Sequence, residues 1–354
     1  MVNRLESNVK KPKEYYVSVI ITTRNRPEFL KTLLESLIRQ TYKNFEVIII
    51  DDGSSPSNRE KVKKIFEEFS RKLRIDLIIN PCNLGIPMSL NRGVHRARGE
   101  IIAVIDDDCI ADENWLSELV KWYKIPAVGG AGGKIIEIDE TITDHKYLKK
   151  LLRKNNTNKE KRRYNRPIGK VHWTGGCSSG FTDGNRLLFV DFLSGANMSY
   201  RKELVLRVKG FSTIYRGNAL RFETDIGFNI KKLGYKIIFD PDAVVFHRRA
   251  KHGGARVSAL EWYYWHARNT IIFLLKNLDR RFFRLAIYVL RRIYFILKKK
   301  NVCPSAKPRK WHYVLIKYVR GILDGITYWV KFRKGHLLTI LKLLESSLNT
   351  CMIQ

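Results

Sequence analysis

Apolar and polar positions along the first 110 residues alternate between a strand pattern and a helical one. Residues 17–21 (Val-Ser-Val-Ile-Ile) form a short β-branched run, and a turn at 22–27 (Thr-Thr-Arg-Asn-Arg-Pro) follows it. Pro27 suits the first turn of a helix, and Phe29, Leu33, Leu34, Leu37 and Ile38 keep helical spacing behind it. Residues 47–50 (Val-Ile-Ile-Ile) are a continuous apolar strand that ends in Asp51-Asp52-Gly53-Ser54-Ser55. Val62, Ile65, Phe66 and Phe69 mark a second helix, and residues 75–79 a third strand. A helix over 89–97 then leads to a strand over 101–105 that runs into Asp106-Asp107-Asp108-Cys109. Strands apolar on both faces, separated by amphipathic helices, predict an α/β fold with a mostly parallel sheet of βαβ units. Polar and acidic residues gather where the strands end, which is where open α/β sheets bind ligands.

Beyond residue 110 the pattern is less regular. It includes a glycine- and serine-rich stretch at 173–180, and a basic loop over 149–166 that is expected to be mobile. Two strands are expected at 236–239 and 243–246, with Asp240-Pro241-Asp242 between them. The last third is helical and basic. Over 311–330, Trp311, Val314, Leu315, Tyr318, Ile322, Ile326 and Trp329 share one helical face, whereas the apolar run 282–297 is interrupted by Arg284, Arg291 and Arg292. Such faces fit either helices lying on a membrane surface or helices packed on the rest of the protein. Residues 298–310 read as a linker. The expected organisation is a tail at 1–15, an α/β domain at 16–250 and a basic helical region at 251–354.

Charge sharpens this division. The chain has 66 Lys+Arg against 34 Asp+Glu, a formal net charge of +32, which favours polyanions such as nucleic acid, an anionic membrane or a phosphorylated substrate. Residues 251–354 hold 21 Lys/Arg and only 4 Asp/Glu, just over half of the surplus. Chemistry in front and docking behind is the expectation. Five scattered cysteines without a C-x-x-C pair argue against a disulfide framework or a zinc site and fit a reducing cytoplasm. The opening residues show no apolar signal core, and no apolar run approaches the ~18 residues of a spanning helix. A cytoplasmic location, with peripheral contact at the inner face of the cell membrane, is expected.

Three acid clusters carry candidate chemistry. Asp51-Asp52-Gly53-Ser54 follows a buried strand. A carboxylate there can accept from a base N–H or ribose hydroxyl, although the same residues also make an ordinary capping turn. Asp106-Asp107-Asp108 is more telling, because three adjacent carboxylates repel unless a cation or solvent relieves them. Mg2+ or Mn2+ would do so, held by one or two carboxylates together with substrate phosphates. Phe222-Glu223-Thr224-Asp225 opens a helical pattern that stops at Gly234. Its acids either favour a helix N-terminus or supply a general base for an incoming hydroxyl. Taken together, these residues describe a sugar transfer. A metal offsets charge on a departing nucleoside diphosphate, and a carboxylate opposite activates the acceptor for one inverting displacement.

Competing classes fit less well. A nucleic-acid binder explains the basicity but not acid clusters at strand ends, and no recognisable RNA- or DNA-binding motif is present, so no nucleic-acid partner is expected. A nucleotidyltransferase needs a glycine-rich loop after the first strand, where residues 22–27 have no glycine. No G-x-G-x-x-G follows any strand, which excludes a dinucleotide-binding dehydrogenase. The alternative left is a protein of the same fold that binds nucleotide sugars or polyanions without transfer.

Four stretches occur in a familiar order: VSVIITTRNRPEFLKTLLESLIRQTYKNFEVIIIDDGS, NLGIPMSLNRGVHRARGEIIAVIDDDC, LSGANMSYRKELVLRVKGF and FETDIGFNIKKLGYKIIFDPDAVVFH. Through them the chain resembles family 2 glycosyltransferases of the GT-A fold over roughly residues 16–250. The resemblance implies a non-processive enzyme, since no Q-x-x-R-W motif or spanning helix is present. It implies that Thr22 and Asn25 line the nucleotide pocket, that Asp52 contacts base or ribose, and that Arg92 and the acid triplet, Asp107 included, face the diphosphate. Asp106 and Asp108 form the family's D-x-D motif, with His247 matching a metal ligand of some GT-A enzymes or serving as a structural histidine. Glu223 falls at the catalytic base, with Asp225 supporting it or taking its place, and Gly195, Ala196 and Asn197 shape the acceptor side. The resemblance implies a nucleotide-sugar donor; a surface glycan or lipid-linked acceptor is expected, and the basic residues 255–354 are expected to dock on an anionic membrane. Two departures stand out. Thr22-Thr23 replaces the family's usual Pro-Thr, and Phe222 precedes Glu223 where two acids are common.

Overall fold

The computed structural model describes residues 14–157, 167–178, 180–182, 184–298 and 311–351. Most of the expected tail and nearly all of the expected linker at 298–310 lie outside the described residues, as does 158–166 of the expected basic loop. Two compact units emerge. Unit 1 contains the residues up to Lys170, Cys177–Thr213 and Phe222–Gly254, and unit 2 contains Val171–Gly176, Ile214–Arg221 and the residues from Ala255 onward.

Unit 1 is built on a nine-stranded sheet. Its strands are β1 (Val17–Thr23), β2 (Phe45–Asp51), β3 (Ile75–Ile79), β4 (Ile101–Val104), β5 (Cys109–Ala111), β6 (Val128–Glu137), β9 (Leu188–Val190), β10 (Met198–Arg201) and β11 (Lys236–His247). Two two-residue strands, β7 (Lys170–Val171) and β8 (Cys177–Ser178), stand outside it. The spatial order is β3-β2-β1-β4-β10-β6-β11-β5, with β9 also paired to β11. The first four strands are parallel, as the sequence predicts, and β10 runs antiparallel to both β4 and β6.

Helices cover the parallel half. The first three, α1 (Pro27–Ile38), α2 (Pro56–Phe69) and α3 (Ile86–Arg96), each carry proline in the first turn, where the missing N–H costs nothing. In α1, Leu30, Leu33, Leu34 and Leu37 are all buried, each contributing about 2 kcal/mol by leaving water. β2 is buried along its whole length. The chain reverses its direction across the sheet between β1 and β4, so the loops after these two strands diverge and open a crevice. Smaller helices, α4 (Trp115–Val120), α6 (Lys202–Arg207) and α7 (Phe222–Lys232), complete the unit together with α5 (His145–Thr157).

Three expectations need correction here. The basic loop begins as a helix, α5, whose Leu148 packs with Ile110, Ile136, Val244 and Phe246. The two strands around Asp240-Pro241-Asp242 are one strand, β11, whose register against β6 shifts between Asp240 and Val245. The sequence reading also passed over β6, whose four glycines weaken the strand signal. They are there for space: a Cβ on Gly133 would lie 1.8 Å from the Ala243 carbonyl, and one on Gly132 2.5 Å from that of Asn197.

Unit 2 is helical: α8 (Ala259–Asn277), α9 (Arg281–Leu297) and α10 (Trp311–Cys351). Ser258 caps α8 by accepting from the Glu261 N–H at 3.3 Å. From Ala267 to Leu275 every residue of α8 is buried, and its polar groups are paired: Arg268 with the Ile214 carbonyl, Asn269 with that of Arg216, and Thr270 with Arg221. α10 lies against α8 through Val314, Tyr318 and Ile322 and through Gly321 and Gly325. A Cβ at Gly321 would sit 2.3 Å from the Tyr264 carbonyl, so the two backbones approach closely. The face of α10 that the sequence offered to a membrane is therefore turned towards α8 and, through Tyr318 on Tyr288 and Trp329 on Phe282, towards α9. No helix among the described residues is long and apolar enough to cross a membrane.

Candidate active site

The crevice between the ends of β1 and β4 collects the acid triplet and its partners. Asp107 is buried and accepts from Thr23 Oγ1 at 2.7 Å and Arg26 Nη1 at 2.9 Å. Burial pushes its carboxyl up to about 7, against the opposing pull of Arg26 and Thr23. Asp108 is also buried, with Oδ1 3.1 Å from His247 Nε2, and with Oδ2 accepting from the Ala250 N–H at 3.0 Å and Arg26 Nη1 at 3.3 Å. Burial works to raise Asp108, but His247, Arg26 and the Ala250 N–H outweigh it and hold the carboxyl at about 2. His247 responds in kind: burial disfavours its cation, yet the bond and charge of Asp108 raise its pKa overall. Asp106 stays half-buried at the mouth of the crevice.

Arg26 also anchors the loop after β11. Its Nε and Nη2 donate to the His252 and Gly253 carbonyls at 2.6 and 3.1 Å. Gly253 and Gly254 both have positive φ, and a Cβ on Gly254 would lie 2.8 Å from Arg26 Cζ, so this loop can wrap the guanidinium only as glycine.

The end of β2 forms the second wall. Asp52 accepts from Asn80 Nδ2 at 2.8 Å and from the Leu84 and Gly85 N–H groups at 2.8 and 3.0 Å. Three bonds leave this carboxylate room for about one more donor. Arg92, on α3, donates to Asn80 Oδ1, so Asp52 and Arg92 meet through Asn80. Asn25 is exposed, with φ 57°, and its Oδ1 accepts from the Ser55 N–H at 2.8 Å. Thr22 is half-buried at the end of β1, in register with Ile50.

Glu223 approaches from the other side of the sheet order. It stands half-buried in the first turn of α7, and a Cβ on Gly195 would lie 3.4 Å from its Oε1. The next carbonyl, Ala196, is 4.0 Å from Cys109 Sγ. One tight turn, closed by the Asn197 N–H to Ser194 carbonyl bond at 2.9 Å, thus touches both Glu223 and the residue after the triplet. Asn197 itself is fully buried. It accepts from Trp115 Nε1 at 2.9 Å and donates to the Lys134 and Ala243 carbonyls at 3.2 and 2.8 Å. Asp225 is buried too and accepts from Asn229 at 3.1 Å.

Residues 18–188, just under half of the chain, match glycosyl transferase family 2. Over that segment the chain is similar to family 2 glycosyltransferases. It is similar to the mannosyltransferase from Pyrobaculum calidifontis solved in complex with GDP-Man and Mn2+, with a TM-score of 0.54 and 17% identity over 89% of this chain and 88% of that one. It is also similar to S. aureus TarS 1–349 in complex with UDP-GlcNAc, with a TM-score of 0.52 and 16% identity over 90% and 92% of the two chains. These likenesses establish the GT-A fold. The glucosyl-dolichyl phosphate glucuronosyltransferase of Haloferax volcanii is 28% identical over 201 residues, which is 56% of each chain. The chain spans about half or less of the length of the curated relatives it matches.

At the end of the crevice, Asp108, Cys109 and His247 place ligand atoms within 4.8 Å of one another, a cluster found among the described residues. Burial pushes the pKa of the Cys109 thiol well up, and the Asp108 carboxylate oxygen and the His247 imidazole nitrogen are the donors that suit a hard or borderline divalent ion. That mixed set fits Mn2+ better than Mg2+, which prefers oxygen alone. Sequence reasoning missed Arg26, Thr23 and Asn80. The triplet's need for a cation or solvent is legible in the sequence, but the sequence does not show that a guanidinium 81 positions away supplies part of it.

Proposed function

We propose that this chain transfers a sugar, with inversion, from a nucleotide-sugar donor to an acceptor hydroxyl. The observation that carries the reading is the turn at residues 194–197, which meets Glu223 at Gly195 and Cys109, the residue after the acid triplet, at Ala196, with Asp108 of that triplet bonded to His247. The nucleotide would lie along Thr22, Asn25 and Asp52, using the acceptor capacity that Asp52 retains, with Arg92 and Asp106 towards the diphosphate. Asp107, locked to Thr23 and Arg26, would keep the triplet in place. Mn2+ held by Asp108 and His247, with Asp106 beside them, would supply charge neutralisation for the leaving diphosphate. The mannosyltransferase neighbour that holds GDP-Man and Mn2+ supports this choice.

Glu223 is the proposed base. Its carboxylate is half-exposed beside Gly195, where an acceptor hydroxyl can reach it, while Asp225 is buried and bonded within its own helix. Glu223 would take the hydroxyl proton as the oxygen attacks the anomeric carbon opposite the leaving group. Gly195 leaves this space open, since a Cβ there would already stand in van der Waals contact with Glu223 at 3.4 Å, and Asn197 holds the turn. The acceptor proposed is a glycan or lipid-linked sugar at the inner face of the cell membrane, with the basic helical region as the docking element. The dolichyl phosphate substrate in the name of the Haloferax relative favours a lipid-linked acceptor.

The test has two stages. UDP-, GDP- and dTDP-sugars are screened with Mn2+ or Mg2+ for thermal stabilisation, where a donor at a hundred times its Kd adds about 2.7 kcal/mol. With the donor identified, Glu223→Gln should lower transfer about 10²–10⁴-fold while donor stabilisation stays unchanged. Undiminished transfer in that variant would move the base elsewhere, and no stabilisation by any nucleotide sugar would defeat the reading altogether.

A further inference from the structure

Helix α9 is turned inside out. Its buried residues are Tyr288 and Ile296, with Arg292 lying over the Tyr288 ring at 5.3 Å. On the opposite side Phe282, Phe283, Ala286, Ile287, Leu290, Ile293, Tyr294 and Leu297 fall within about 140° of helical arc at 100° per residue. That stripe contains no charged or hydroxyl-bearing aliphatic residue. Its large members Phe282, Phe283, Leu290, Tyr294 and Leu297 are between 52% and 70% exposed. A helix that keeps only two residues buried and shows water its apolar side has a face made for another surface.

Charge selects that surface. Residues 280–298 include six Arg/Lys and no Asp/Glu. Arg291 is exposed at the edge of the stripe, and Arg280, Arg281 and Lys298 stand at the helix ends. A second copy of this face would bring like charges together, which disfavours self-association. An apolar aromatic stripe edged by arginine is the composition of a helix that lies in a lipid interface, drawn there by anionic headgroups. We propose that α9 is the membrane-docking element: its Phe282–Leu297 stripe enters the headgroup–acyl boundary of an anionic lipid surface, and the inward face of α10 takes no part. This rests on the reading of the basic region as a docking element and narrows it to one face of one helix.

The experiment is flotation of the full chain with vesicles of neutral phosphatidylcholine and with vesicles containing about 30 mol% phosphatidylglycerol. The triple variant Phe283→Ser, Leu290→Ser, Leu297→Ser alters solvent-facing positions, and circular dichroism and the donor thermal shift report that it stays folded. The chain should float with anionic vesicles and much less with neutral ones. The triple variant should lose about tenfold or more of its partition, and about 0.5 M salt should weaken the wild type. Absence of flotation overturns the proposal, as does equal flotation of variant and wild type. A wild-type dimer that the three substitutions turn into a monomer, without vesicle binding, would make the stripe a protein interface and overturn it too. Donor stabilisation is read separately, so loss of docking leaves the transferase reading standing, and loss of donor binding leaves docking standing.

Discussion

Replacing Arg26 with Met tests whether a guanidinium holds the acid triplet together. Arg26 Nη1 lies 2.9 Å from Asp107 and 3.3 Å from Asp108, and all three side chains are buried. Met retains much of the side chain's volume and none of its charge. Removing one partner of a buried pair costs about 3–5 kcal/mol, because the other charge is left in a poor solvent. The His252 and Gly253 carbonyls lose donors as well, at about 1 kcal/mol each where water cannot replace them.

Protonation of Asp107 limits that loss and gives it a pH signature. In the wild type burial already places Asp107 at about 7, above the ~3.9 of an unfolded chain. The folded state therefore holds a proton that the unfolded state has released, so this group lowers stability as pH rises from about 4 to 7 and no further above it. Without Arg26 the folded pKa moves higher still, and Arg26→Met continues to lose stability above pH 7, where the wild-type curve flattens. Urea denaturation followed by tryptophan fluorescence from pH 5 to 9, in chelator so that no metal replaces the missing charge, reads both curves. The deficit should reach about 3 kcal/mol at the alkaline end, and adding Asp107→Asn should restore about 2 kcal/mol and remove the extra slope. A deficit under about 1 kcal/mol with a wild-type slope, or strict additivity in the double variant, would refute the idea that Arg26 neutralises the triplet.

Other outcomes follow from the same geometry. Gly321→Ala should destabilise by about 1–3 kcal/mol despite its better helix propensity, since its Cβ meets the Tyr264 carbonyl at 2.3 Å. Gly325→Ala, whose nearest atom is 2.9 Å away, should cost less, and thermal melts of the two variants that ranked the other way would contradict the α8–α10 packing. Asn197→Ala should cost about 2–4 kcal/mol in urea unfolding, because Trp115 Nε1 and two carbonyls lose their partner together. His247→Ala should weaken Mn2+ binding about tenfold or more by calorimetry, and unchanged affinity would leave His247 as a structural partner of Asp108 alone.

Much of unit 1 was legible because local and tertiary demands agree there. β1, β2 and β4 are buried on both faces, so residues 19–21, 47–50 and 101–104 within them are continuous apolar runs and the strand signal is strong. β6 was not legible because its glycines answer to Ala243 and Asn197, residues far away in sequence, and strand periodicity holds no record of them. The same limit applies at the site. Strand ends point to the triplet, but nothing local says that Arg26 will reach both it and the loop at 252–253. The motif around Asn197 gives its neighbourhood, whereas its side chain is committed to Trp115, Lys134 and Ala243.

The two C-terminal helices show where periodicity stops being informative. Both α9 and α10 have an apolar face edged by basic residues, and the hydrophobic pattern alone treats them alike. The difference lies in small residues. On α10 the apolar face contains Gly321 and Gly325, four apart, which lets a second backbone come close and earmarks the face for a helix. On α9 the stripe from Phe282 to Leu297 has bulky side chains at nearly every position, with Ala286 the one small residue, and so offers no groove for a neighbouring backbone. A bulky, ungrooved apolar face suits a fluid surface that conforms to it, and a glycine-notched one suits a rigid partner.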